Sequence, residues 1–220
     1  MKTGIRLLSP KARERTLQSV YELLQRGIQE NELDSYPTFV EEVRDGNWLV
    51  FCLFNKGEPV AARVNDISPL VSTGIAISLF TVINRQWRGK GLFKRLIEAA
   101  GVELRRRNPN FLGVLAEMDT SNYGVPAADR LEIFRKVGYQ RVDFKYILPP
   151  LEDGEKENRS FVLVFLPEPG IKTIPAKTLS AALKIYLSWV DEFADDLGRQ
   201  IRDEMIERLS RLKRVKLLEL

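Results

Sequence analysis

The chain has 220 residues, with 34 Lys and Arg against 30 Asp and Glu, a net charge of +4, one Cys and no His. This length suits one domain with an appendage and can bury a core of its own, and 44% apolar with 29% charged residues is the composition of a globular chain rather than a disordered one. Without histidine, Ser-His-Asp and Cys-His catalysis and imidazole-bound zinc are excluded within the chain, and a single cysteine forms neither an intramolecular disulfide nor a thiolate metal cluster.

Ile5 to Leu8 reads as a short strand. Ser9-Pro10 supplies a helix start, and Leu17, Val20, Tyr21, Leu24 and Ile28 recur at helical spacing within Lys11 to Glu30. Ser35-Tyr36-Pro37-Thr38 opens a second helix through Val43, and Asp45-Gly46 is a turn. Trp48 to Phe54 and Pro59 to Asn65 read as a hairpin joined by Asn55-Lys56-Gly57-Glu58. After a looser stretch from Ile67 to Gly74, the β-branched run Ile75 to Ile83 predicts a central strand. The polar, basic segment Asn84 to Gly91 leads into a helix from Leu92 to about Arg107, stopped by Asn108-Pro109.

Phe111 to Met118 predicts a buried strand, Asp129 to Val137 a helix stopped by Gly138, and Tyr139 to Leu148 and Phe161 to Leu166 two further strands. From Pro175 onward the pattern is helical: Leu179, Leu183, Tyr186, Leu187 and Val190 form one stripe, and Ile201, Met205, Ile206 and Leu209 continue it. Met1 to Arg15 has no apolar leader core, and the longest apolar runs, Trp48 to Phe54 and Phe161 to Leu166, are too short to span a bilayer. The expectation is therefore a soluble cytoplasmic protein with no membrane span. A charge of +4 spread over this length gives no case for nucleic acid, yet it suits an anionic ligand.

The segment that carries chemistry is Arg88-Gly89-Lys90-Gly91-Leu92-Phe93, between a strand and a helix. Two glycines let the backbone turn sharply, so that several N–H groups face one point at the start of a helix, where orphan donors and the dipole favour an anion. Arg88 and Lys90 add positive charge, and the sum is a phosphate or pyrophosphate cradle. No Gly-Lys-Ser/Thr closes it as in a P-loop, and its glycines lack the dinucleotide-binding spacing.

The order strand, two helices, three strands, Arg-Gly-Lys-Gly loop, helix, strand, helix ending in Gly-Tyr, two strands resembles the GNAT superfamily of acyl-CoA-dependent N-acyltransferases. The resemblance covers roughly Met1 to Leu166. Its acyl-CoA signature, Arg/Gln-x-x-Gly-x-Gly/Ala, is matched by Arg88 and Gly91, with Phe93 at the last position. Its aromatic-x-x-x-Gly-aromatic signature is matched by Phe134-Arg135-Lys136-Val137-Gly138-Tyr139. Tyr146-Ile147-Leu148-Pro149-Pro150-Leu151 is similar to a segment of a bacterial subset of unassigned substrate.

The resemblance implies an α/β (α+β) fold: a mixed, mostly antiparallel central sheet flanked by helices. It implies a V-shaped splay between the strands at 75–83 and 111–118. The expected division is an acyltransferase domain over 1–167 and a helical C-terminal extension over 168–220, packed on the domain or on a dimer partner. Acetyl-CoA or a longer acyl-CoA is the implied co-substrate, with no metal. Arg88, Gly89, Lys90, Gly91, Leu92 and Phe93 would grip its pyrophosphate, and Thr81, Val82 and Ile83 would pair with pantetheine like an added strand. The N–H of Val82 or Ile83 would stabilise the oxyanion, and Asn122 would bond pantetheine.

With no histidine, the base for the acceptor amine is a carboxylate, acting directly or through water, or a backbone carbonyl. Glu117, closing its strand where burial would raise its pKa, is the first choice, and Asp119 the second. Phe134 stands where many relatives carry the tyrosine that protonates the leaving thiolate; either solvent does so here or another tyrosine substitutes, with Tyr123 ahead of Tyr139 and Tyr146. Cys52 reads as a buried small hydrophobe. Three functions stay open: transfer of a simple acyl group to a primary amine in a ternary complex; transfer of a longer acyl chain to a peptide or amino-acid-like acceptor; and acyl-CoA binding without catalysis. The partners are acyl-CoA, an amine that is a small molecule or a peptide, and a second copy of the chain if the tail dimerises.

Overall fold

A computed structural model describes residues 4–29, 32–121, 126–150 and 160–220. The chain divides into two compact units, one of residues 1–68 and 78–109, the other of 69–77 and 110–220.

In the first unit, strands β1 (Ile5–Leu7), β2 (Trp48–Asn55), β3 (Glu58–Asp66) and the later part of β4 (Ile75–Ile83) lie side by side in that order. The pairs β1–β2 and β2–β3 are antiparallel. The hairpin between β2 and β3 turns on Lys56 and Gly57, both at positive φ, and a register shift at Leu53/Phe54 sets Pro59 opposite Phe54. Proline is tolerated there because an irregular point of the ladder does not need its missing N–H.

Helix α1 runs Glu14–Gln25 and α2 Tyr36–Asp45. The expected start of α1 at Ser9-Pro10 is instead a separate turn, in which Ser9 Oγ accepts from Lys11 N at 3.1 Å. Ser35 does cap α2, accepting from Thr38 N, and Gly46 at φ 80° ends it. Leu17, Val20 and Leu24 of α1 and Phe39 and Val43 of α2 pack with Trp48, Val50, Cys52, Ala62 and Val64, the residues of one sheet face. The alternate residues Leu49, Phe51, Leu53 and Ala61 are buried too. Helix α4 (Leu92–Arg107) contacts β1, β2 and β3. A sheet covered on both faces explains why β2 is an unbroken apolar run instead of an alternating one.

In the second unit the strand order is the start of β4, then β5 (Gly113–Asp119), β7 (Phe161–Pro167), β6 (Gln140–Val142), β9 (Arg214–Leu218) and β8 (Thr173–Pro175). The pairs β5–β7, β6–β7, β6–β9 and β8–β9 are antiparallel. The helices are α3 (Leu70–Thr73), α5 (Ala127–Lys136), α6 (Ala176–Tyr186), α7 (Val190–Phe193) and α8 (Asp196–Ser210). Leu115, Leu163, Phe165, Leu179, Leu183, Met205, Leu209 and Val215 are buried in this unit.

Two expectations change here. The predicted strand Tyr139–Leu148 is regular only over Gln140–Val142, and the chain beyond it runs to Pro150 with a single bridge at Leu148. Residues 168–220 are not wholly helical: β8 and β9 belong to the sheet, and β9 inserts between β6 and β8. The C-terminal residues are thus sheet members of the second unit, and the contact division does not fall at residue 167.

Candidate active site

In the first unit, β4 loses burial after Ile77: Ser78 to Thr81 are half-buried, Val82 is buried and Ile83 half-buried. Thr81 is fixed from β3. Its Oγ1 accepts from Arg63 Nη1 at 2.9 Å, while Arg63 Nε donates to Asn65 Oδ1 at 3.1 Å. Arg63 is only 1% exposed, so these hydrogen bonds offset part of the cost of burying a cation. Val82 packs against the C-terminal side of α1, where Gly27 leaves room: a Cβ there would come within 2.6 Å of Val82 Cγ1.

Beyond β4 a short 3₁₀ turn, Arg85–Trp87, delivers the chain to the glycine loop. Arg88 Nε donates to the carbonyl of Ile83 at 3.2 Å and ties the loop to the strand end. Lys90 Nζ lies 4.5 Å from the centroid of the Trp87 ring, a cation–π contact. Gly89 and Gly91 sit at φ 73° and 69°, a conformation that costs an L residue strain, and a Cβ on either would meet nothing within 4 Å. The loop is therefore open on the side where the glycines lack side chains.

Gly91 is the N-cap of α4 (Leu92–Arg107), and no side chain caps that helix. Its first turn carries no acidic residue. A basic, uncapped helix N-terminus behind an open left-handed glycine turn has the donors, the dipole and the charge to hold a phosphate group. At the start of this helix Leu92 is buried and Phe93 half-buried.

In the second unit, Glu117 and Asp119 both lie on β5. Glu117 is half-buried, and its Oε1 accepts a hydrogen bond from the Tyr146 hydroxyl. Burial of the Tyr146 phenol, then the charge of Glu117, then Tyr186, push its pKa well above the ordinary tyrosine value. The Asp119 carboxylate is committed differently: Oδ1 accepts from Ser121 N at 2.7 Å, Oδ2 from Ser121 Oγ at 2.6 Å, and Arg130 Nη1 lies 3.5 Å from Oδ2. Arg130 also donates to the Asp119 carbonyl. This arrangement closes the turn after β5.

The Phe134–Tyr139 signature has a local physical basis. Gly138, at φ 95°, ends α5, with its N–H on the Arg135 carbonyl at 3.0 Å. The two aromatic rings meet with centroids 4.8 Å apart, and Tyr139 is 2% exposed. Tyr139 is thus a core ring.

No protein-family model and no curated protein matches the sequence. Solved structures do match: a GNAT-family protein of Bacteroides thetaiotaomicron aligns with a TM-score of 0.63 over 88% of this chain and 99% of its own, at 15% identity. The chain has the GNAT fold. The ribosomal-protein-S18-alanine N-acetyltransferase of Escherichia coli aligns with a TM-score of 0.52 at 18% identity, covering 76% of this chain and 99% of that one. A chain of the NatC complex bound to Gag peptide and CoA aligns at 0.56 and 17%, with 76% and 99% covered.

Within this GNAT fold the predicted site residues fall into two groups. Thr81, Val82, Ile83, Arg88, Gly89, Lys90, Gly91, Leu92 and Phe93 fall within residues 81–93 of the first unit, and Glu117 and Asp119 belong to the second. Asn122 and Tyr123 lie outside the described residues. Tyr146, ranked behind Tyr123 on sequence, is the tyrosine that the structure puts in contact with Glu117. Its proline-stopped segment was the available signal, but nothing local in the sequence says which strand that segment will meet.

Proposed function

We propose that this protein transfers an acyl group from acyl-CoA to a primary amine by direct attack in a ternary complex. The observation that carries the reading is the open Arg88–Gly91 turn at the uncapped start of α4, on a GNAT fold. Backbone N–H groups of this turn bind the pyrophosphate of coenzyme A, and the pantetheine arm runs along Thr81 to Ile83. A backbone N–H of Val82 or Ile83 polarises the thioester carbonyl. The neighbours named for alanine N-acetylation and for a complex with peptide and CoA support a CoA donor and an amine acceptor.

The amine nitrogen attacks the thioester carbon, a C–N bond forms and the C–S bond breaks. Glu117 takes the proton the amine loses, directly or through a water, and the departing thiolate takes one from Tyr123 or from solvent. Positioning two reactants in one complex supplies much of the rate, because effective molarities for oriented groups are high. Asp119 is given no proton to carry, since its carboxylate already serves Ser121 and Arg130.

Release of free thiol from acyl-CoA in the presence of an amine panel tests this. Glu117→Gln is expected to lower turnover about 10²-fold or more, the usual scale of general base catalysis. Turnover undiminished in that variant would remove Glu117 from the mechanism. Comparing acetyl-CoA with medium- and long-chain acyl-CoA in the same assay fixes the acyl length; the simple acetyl group is expected to be preferred.

A further inference from the structure

Glu117 is set among apolar neighbours. Leu115, on the same face of β5, is buried, and buried Leu163 faces Glu117 across the β5–β7 pair. A carboxylate in such surroundings is costly in its charged form unless donors reach it. Tyr146 supplies one, and it comes from the irregular segment after β6.

That segment is fastened by α8. Ile147 N–H donates to Met205 Sδ at 3.4 Å, Arg208 Nη2 donates to the Lys145 carbonyl at 2.8 Å, and the Arg208 guanidinium lies 5.0 Å over the Phe144 ring. Phe144, Lys145 and Ile147 are thus each held by one helix of the C-terminal part, with Tyr146 among them. Tyr186, at the end of α6, is a second phenol near Tyr146, and ionisation of one opposes ionisation of the other. Among the described residues, the further titratable group on this face of β5 is Asp119, two residues on and held by Ser121 and Arg130.

We propose that Tyr146 is the positioning residue for Glu117, holding its carboxylate in one orientation and favouring its ionised form, and that α8 is the element that keeps Tyr146 there. The inference rests on the acyl-transfer reading for its functional meaning. Its physical content is separate: a buried phenol that keeps its proton at working pH donates to the carboxylate and stabilises the anion over the acid. The C-terminal helices then support the base, and a second copy of the chain is not needed for that role.

The test compares the wild-type chain with Tyr146→Phe, which keeps the ring and removes the hydroxyl. The carbon-13 resonance of the Glu117 carboxyl, followed against pH, is expected to titrate about one pH unit higher in Tyr146→Phe. The acid limb of kcat/KM should move by the same amount, with KM for acyl-CoA unchanged. A merely structural role would lower the folded fraction and leave the limb where it was. An unmoved Glu117 titration in a folded variant overturns the proposal. Should Tyr146→Phe fail to fold, Glu117→Gln gives the complementary reading: the Tyr146 Cζ resonance at pH 7 moves if the hydrogen bond exists, and an unmoved resonance contradicts it. If the wild-type chain acylates no amine, the functional reading fails, while the titration still decides whether Tyr146 tunes Glu117.

Discussion

At Gly91 the backbone holds φ at 69°, and Gly89 before it sits at 73°. An L residue there costs about 1–2 kcal/mol, more when β-branched. A Cβ would also project into the open space that a phosphate is proposed to fill. Gly91→Val is therefore expected to weaken coenzyme A binding at least tenfold by calorimetry, beyond its modest effect on stability; binding equal to wild type would show that the loop does not contact the ligand. Cys52, fully buried, has its thiol pushed up by burial alone, so a thiol reagent should leave the native chain unmodified and label it only on unfolding. Glu103 is the opposite case: hydrogen bonds from Arg106 and Arg107 hold its pKa at about 2, below its usual 4.5. A depressed carboxylate stabilises the fold above its unfolded pKa and loses that contribution as pH falls from about 4.5 to about 2, so Glu103→Gln should flatten the acid limb of stability in that window.

Among the elements, β5 starts at a glycine that is required. Gly113 has φ 151°, and a Cβ on it would lie 2.3 Å from the Leu166 carbonyl oxygen of β7. Gly113→Ala should lower stability by roughly 2 kcal/mol or more in denaturant melts, because backbone must move to admit the methyl. Strand β9 offers a second expectation. It pairs with β6 through Arg141↔Leu218 and with β8 through Ile174↔Val215. Removing residues 214–220 should raise hydrogen exchange at both partners and leave β2 and β3 protected.

Local signals carried most of these elements. The strand Ile75–Ile83 and the helix Leu92–Arg107 stand where β-branched density, helical spacing and Asn108-Pro109 put them. Other elements depend on partners distant in sequence. Arg214-Val-Lys-Leu-Leu reads as more basic helix, because only pairing with β6 and β8 makes it a strand. Tyr139–Leu148 reads as one strand by composition, yet its later residues are claimed by α8 rather than by the sheet. The glycine loop was legible because its chemistry lies in six consecutive residues. The Glu117–Tyr146 pair spans 29 residues and was not.

On the scale of the whole molecule, each unit carries its own buried core. The open glycine turn lies in the first unit, and Glu117 with its hydrogen-bond partner Tyr146 lies in the second. The GNAT fold, matched at 15% identity over 88% of the chain, accounts for this order of elements without dictating the acceptor. Among the described residues no helix is long and apolar enough to cross a membrane. The proposed acyl transfer depends first on coenzyme A binding at the turn of residues 88–91. Thermal unfolding with and without coenzyme A measures it most directly, since a ligand at about 100 times its Kd stabilises the native state by about 2.7 kcal/mol. The prediction is a clear rise in Tm with millimolar coenzyme A that disappears in Gly91→Val and survives in Tyr146→Phe; an unchanged Tm for the wild-type chain would contradict it.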